Sequence, residues 1–177
     1  MEFKYYDKPW LPAIKGAFLI IFGIIAMSQI VGSIRSLASL FIVLIGMIGI
    51  LLISSGIMLR KSRFRIWSII SGIINIIFCL ILALKVEAPR EVIIWILLLW
   101  VIFQAISEII EAVILISLKN AFAALFILNA LLTMLFGYFL YIVIATFTPQ
   151  GIFYLGVIAL VFGLANQLSA YLLSRIK

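Results

Sequence analysis

The sequence predicts an all-α polytopic membrane protein of six transmembrane helices, built as three repeated two-helix hairpins with both termini cytoplasmic. Three observations predict it. Hydrophobic types make up 67% of the 177 residues and charged types 11%, with a mean hydropathy of +1.40. The apolar residues fall into six long runs. The basic residues gather in the breaks between alternate runs. Soluble domains are about 45–50% apolar and about 25% charged. A soluble chain of this length buries only about 70% of its surface, so this one needs lipid as solvent. Disordered chains are poor in aliphatics and rich in charge, which excludes that class too.

A helix needs about 20 apolar residues to cross a bilayer. The first run, 13–31, follows Trp10 and has Pro12 at its entry. The preceding stretch, MEFKYYDKPW, does not read as a cleaved signal, because the run is too long for a signal core and no small-x-small site follows. The first helix is therefore expected to be a permanent anchor, and neither end carries a lipidation box. The second run, 37–59, follows a Gly/Ser/Arg break at 32–36. The third, 66–84, follows the basic break 60–65 and opens on Trp67. The fourth, 92–117, follows 85–91, which contains Pro89. The fifth, 121–145, follows the short break 118–120. The sixth, 151–174, follows 146–150, with Pro149 at its entry. All four prolines thus lie in breaks or first turns, where a missing N–H is harmless. Lipid forces backbone groups to be satisfied within each run, so the runs are helices. A barrel would show short alternating segments instead. One membrane domain is expected over 1–177, with hairpins at about 10–62, 63–118 and 119–177.

Charge sets the orientation. Lys4, Lys8, Lys15, Arg60, Lys61, Arg63, Arg65, Lys119, Arg175 and Lys177 fall on one side of a six-span topology. Arg35, Lys85 and Arg90 fall on the other. The larger group marks the cytoplasmic face, and the expected location is the inner (plasma) membrane. Trp10, Trp67 and Trp95 stand at helix starts, where interfacial rings belong. The net charge of +7 is thereby a matter of topology, and nucleic acid is not an expected partner. The basic loop Arg60, Lys61, Arg63 and Arg65 faces anionic headgroups. Membrane lipids and further copies of the chain, in a homo-oligomer, are the expected partners.

The chain also repeats. Sliding the first helix onto the third by 56 positions pairs Gly16 with Gly72, Phe22 with Phe78 and Gly23 with Cys79. Sliding the third onto the fifth by 54 pairs Asn75 with Asn129 and Cys79 with Thr133. Hairpins joined in this way keep one orientation and can be related by an axis along the membrane normal. Gly16/Gly23, Gly46/Gly49/Gly56 and Gly156/Gly163 recur at spacings of 3 or 7, which marks single helix faces suited to close packing.

The opening WLPAIKGAFLIIFGIIA, its echo WSIISGIINIIFCLILA, and the second helix LIGMIGILLISSGIMLRK, with its Gly-rich centre and basic end, resemble the HdeD-like family of small bacterial membrane proteins. That family is named for an acid-resistance protein, and the resemblance covers most of the chain. It implies six spans and a non-enzymatic envelope or stress-response role, particularly toward acid. It brings no catalytic residues. The third hairpin departs from the pattern, with Ala121 near the expected Trp.

The remaining chemistry is sparse. Cys79 is the only cysteine and there is no histidine. That excludes an intrachain disulfide and a Cys-based zinc site, and removes the commonest general base. No phosphate-binding or dinucleotide fingerprint is present. No enzyme activity, cofactor or metal is expected. An ionisable side chain in a span costs about 2.5–3.5 kcal/mol at the helix centre, so Glu108 and Glu111, the acids within the runs, define the candidate site. Gln104, Glu108 and Glu111 share one helical face, flanked by Ser107. Asn166 and Gln167 lie at about the same level of the sixth helix and are expected to complete the cluster. Asn75 and Asn129 are expected to face each other as inter-helix contacts. Two readings stand. In one, paired carboxylates form a proton or cation site in a small transporter or channel. In the other, which is favoured, the acids are neutralised at the interface by Arg60, Lys61, Arg63 or Lys119. The absence of a proline inside any span counts against discontinuous transporter helices. A fluorescent-protein fusion after Lys177 should fluoresce, and an alkaline phosphatase inserted at 85–91 should be active outside. Phosphatase activity at the C-terminus would reverse the assigned orientation.

Overall fold

A computed structural model describes residues 10–28, 33–58, 64–117, 123–146 and 148–174. They form six helices, α1 (Trp10–Met27), α2 (Ile34–Met58), α3 (Phe64–Leu84), α4 (Arg90–Ser117), α5 (Ala123–Thr146) and α6 (Pro149–Ser174), and no strand among the described residues. Five of them, α2 to α6, are long and apolar enough to cross a membrane. The exception is α1, whose 18 residues rise about 27 Å against a hydrocarbon core of about 30 Å. Residues 29–32, at the end of its expected span, lie outside the described residues.

Local chemistry sets the helix ends. Ser33 and Ser36 cap each other at the start of α2: each side-chain oxygen accepts the other's backbone N–H at 3.1 Å, satisfying donors that a helix start leaves open. At α6 the Thr148 hydroxyl accepts the Gly151 N–H at 3.1 Å, and Pro149 fills the first helical position. The Pro89 carbonyl accepts from Val92 and starts α4. Because caps and first turns need not be apolar, α2, α3, α4 and α6 begin two or three residues ahead of their apolar runs.

Each helix packs on its neighbours in the chain, and α6 closes onto α1. The most extensive contacts are α1–α6, α2–α3 and α4–α5. Within the hairpins α1–α2, α3–α4 and α5–α6 contact is lighter. Glycine explains two of the three tight interfaces. A Cβ placed on Gly16 would stand 2.7 Å from the Gly163 carbonyl oxygen, and one on Gly163 the same distance from that of Gly16. Gly23 and Gly156 repeat the arrangement at 2.7 Å in both directions. In α2–α3, Gly49 and Gly72 meet in the same way, at 3.0 and 2.8 Å. Lipid gives apolar helices no hydrophobic reason to associate, so such backbone contact supplies the packing. Cys79, matched with Gly23 in the repeat, donates its thiol to the Ile42 carbonyl across α2–α3. The α4–α5 interface has no glycine pair; Gly137 there faces the Val101 side chain.

Many large aliphatics face outward, as Ile24, Ile50, Leu80, Leu99, Leu131 and Leu164 do. The interior holds other aliphatics, such as Leu37, Ile45, Leu97 and Leu155, small residues, Ala26, Ala38, Ala105 and Ala159, and a group of aromatic rings. Phe41 sits at the centre of that group, with ring centroids 5.0 Å from Phe22, 5.9 Å from Trp100 and 6.3 Å from Phe136. These four rings come from α1, α2, α4 and α5, and they fill the middle of the bundle.

Gly156→Ala should lower the unfolding temperature in detergent by the equivalent of about 1–3 kcal/mol, because its new methyl meets backbone. Gly46→Ala should cost less, since only the Cys79 sulfur, at 3.1 Å, lies in the way. Equal losses at the two positions would refute backbone contact as the basis of the packing.

Candidate intramembrane polar site

Helix α4 carries the site. Its inward face presents Trp100, Gln104, Ser107 and Glu108, all buried. The Glu108 side chain is 7% exposed, and its Oε1 lies 2.5 Å from the ammonium of Lys15. Its other oxygen accepts the Thr133 hydroxyl at 2.7 Å. One carboxylate therefore joins α1, α4 and α5. A charge taken from water must be paired and hydrogen-bonded to be tolerated, and both oxygens of Glu108 are so satisfied.

The neutralising partner differs from those the sequence nominated. Arg60, Lys61, Arg63 and Lys119 lie outside the described residues. Arg65 stands exposed in the first turn of α3. The partner is Lys15, 93 residues away and read from sequence only as part of the basic flank. A signal was present: Lys15 is the one base inside the six apolar runs. Its long aliphatic stem lets the ammonium reach away from its own turn.

The other nominated residues divide. Gln104 donates to the Asn75 side-chain oxygen at 3.2 Å, and the Trp100 indole donates to the same oxygen at 2.9 Å. The Asn75 amide in turn donates to the Ser71 carbonyl at 2.8 Å. Ser107 accepts the Trp67 indole N–H at 3.2 Å and shares a 2.9 Å hydrogen bond with Ser71. These contacts bind α3 to α4. Trp67, expected at the interface, is thus half-buried and tied inward. Asn75 and Asn129 do not bond to each other: Asn75 is taken up by α4. Asn129 is 8% exposed and has no hydrogen bond among the described residues. Asn166 and Gln167 do not join Glu108. Asn166 donates to its own helix at Phe162, and Gln167 donates to the Ala13 carbonyl at 2.7 Å, so this corner fastens α6 to α1. Glu111 is half-buried, within electrostatic range of Lys15 and Glu108, and has no hydrogen bond or ion pair among the described residues.

A cavity of about 30 Å³ adjoins the pair, lined by Lys15, Gln104 and Thr133 and closed by Phe22, Phe41, Trp100 and Phe136. That space has the volume of a water or two, too small for an organic solute. No protein-family model, no curated protein and no solved structure matches this chain.

Lys15→Met should destabilise the bundle by about 3–5 kcal/mol, since it strands a buried carboxylate. Lys15→Met combined with Glu108→Gln should recover most of that loss in the same detergent unfolding assay. Additive losses would disprove the ion pair.

Proposed function

We propose that the chain is a six-span protein of the bacterial inner membrane, with both termini cytoplasmic, whose role is structural and of the HdeD-like, envelope and acid-stress kind. It is not an enzyme. The observation that carries this reading is the employment of the polar side chains of α4. Trp100, Gln104, Ser107 and Glu108 are each bonded to another helix. These are the buried polar side chains of α4, and they are engaged in the resting fold, whereas a conduit needs a continuous line of polar groups left to meet a solute. The aromatic group around Phe41 supports the same reading, since it fills the path a solute would take along the axis.

Three hairpins in parallel fit the contact pattern. The tight interfaces α2–α3, α4–α5 and α6–α1 are then the three seams between successive hairpins, and the lighter ones lie inside them. The six-helix topology places α1 across the membrane despite its length, with Lys15 supplied with a counter-ion at depth. Lipids surround the outward aliphatics, and the same faces serve contact between copies.

Two measurements test the proposal together. Cells deprived of the protein should survive an acid shock less well than cells supplied with it. Liposomes containing the purified protein should pass protons no faster than empty ones. A flux above that of empty liposomes, reduced by Glu108→Gln, would replace the structural reading with the transporter reading.

A further inference from the structure

Among the described residues the charges of the buried site do not balance. Lys15 meets Glu108, and Glu111 remains as a second carboxylate in the same electrostatic neighbourhood. It stands about two turns from the end of α4 at Ser117, where the cost of a charge is lower than at mid-membrane but still present. Across from it lies an independent anomaly, the side chain of Asn129. The α4–α5 register follows from two contacts: Val101 against Gly137, and Glu108 with Thr133. One further turn along both helices brings Asn129 level with Ala112, beside Glu111. Asn129 shares the face of α5 that Thr133 presents to Glu108. It is more than nine-tenths buried and has no hydrogen-bond partner among the described residues. A buried carboxamide without a partner is costly, and a half-buried carboxylate without one adds its own cost. One bound cation relieves both.

We propose that Glu111 and Asn129 form a binding site for a single monovalent cation. The carboxylate supplies the charge and the carboxamide oxygen a ligand. Among the described residues the surplus is one negative charge, which a monovalent ion balances and a divalent ion would overcompensate beside the Lys15 ammonium. The positive charge is either an alkali ion or a proton, and both neutralise the same carboxylate. The charged groups around it are Lys15 from α1 and Glu108 on α4. The described residues of α5 and α6 carry no charge, and α3 offers only Arg65, exposed in its first turn. The inference rests on this geometry alone and does not require the stress role.

The test is thermal unfolding of the purified full chain in lipid nanodiscs. Sodium chloride replaces N-methylglucamine chloride at constant ionic strength, and a separate pH series is run without sodium. A ligand that binds only the folded state raises the unfolding temperature with its concentration. We expect the wild type to respond to one of the two series, to sodium for an alkali ion or to pH for a proton. Glu111→Gln should abolish that response and unfold near the saturated wild-type temperature. Asn129→Leu should weaken it at least tenfold in midpoint, and Glu91→Gln, at the exposed start of α4, should leave it intact. Should Asn129→Leu fail to fold, Asn129→Asp replaces it, and its added carboxylate should strengthen the response. Absence of a response to both series, or a response unchanged in Glu111→Gln, would overturn the site. Acid survival of cells is a separate readout, so failure of the stress role is distinguishable from failure of the site.

Discussion

Lipid gives apolar helices no reason to come together, and the rest of this structure follows from that constraint. In water the outward Ile and Leu side chains would drive collapse; in a bilayer they are already at home. Association must come from contacts lipid cannot offer. Two kinds are present. Where glycine faces glycine, as at Gly16 with Gly163 and Gly49 with Gly72, backbones touch and dispersion contact is dense. Where polar side chains face each other, the alternative is an unsatisfied group in hydrocarbon. The two devices are distributed unequally. The α6–α1 and α2–α3 seams rely on glycine, whereas α4–α5 lacks the glycine pair and carries the Glu108–Thr133 bond. The carboxylate of the buried ion pair is therefore also the hydrogen-bond acceptor at the seam least able to close by backbone contact.

This arrangement makes α4 the hub of the polar interior. Its side chains reach α3 through Asn75 and Ser71, α5 through Thr133, and α1 through Lys15. A change in any of these partners is felt on the same helix that carries Glu111. The aromatic ring of Trp100 adjoins this polar layer through its bond to Asn75.

Much of the architecture was legible in the sequence, because span length and helix punctuation are local properties. Charge, proline and serine mark the ends of α2, α4 and α6 within a few residues. Glu108 stood out because acids in apolar runs are costly. Its partner did not, since pairing across 93 residues is a fact of packing, and Lys15 was absorbed into a topological count. Asn75 and Asn129 illustrate a different limit. Repeat alignment made them equivalent positions, but equivalence under a repeat says nothing about contact. Asn75 found Trp100 and Gln104 on α4, a match in shape and depth that no spacing rule encodes. The expected cluster of Asn166 and Gln167 with Glu108 failed for a related reason. A shared level in the membrane does not fix which neighbour a helix faces, and glycine turned that corner of α6 toward α1.

The closure of α6 onto α1 has a consequence for how the protein is made. Helix α1 leaves the ribosome with an ammonium in it, a glycine face bare, and less length than its five partners. Its carboxylate arrives only with the fourth helix, and the backbone that fits its glycines only with the sixth. During synthesis α1 thus stays without both partners until α6 has followed it, and a product that stops short of α6 leaves Gly16 and Gly23 without the backbone they pack on.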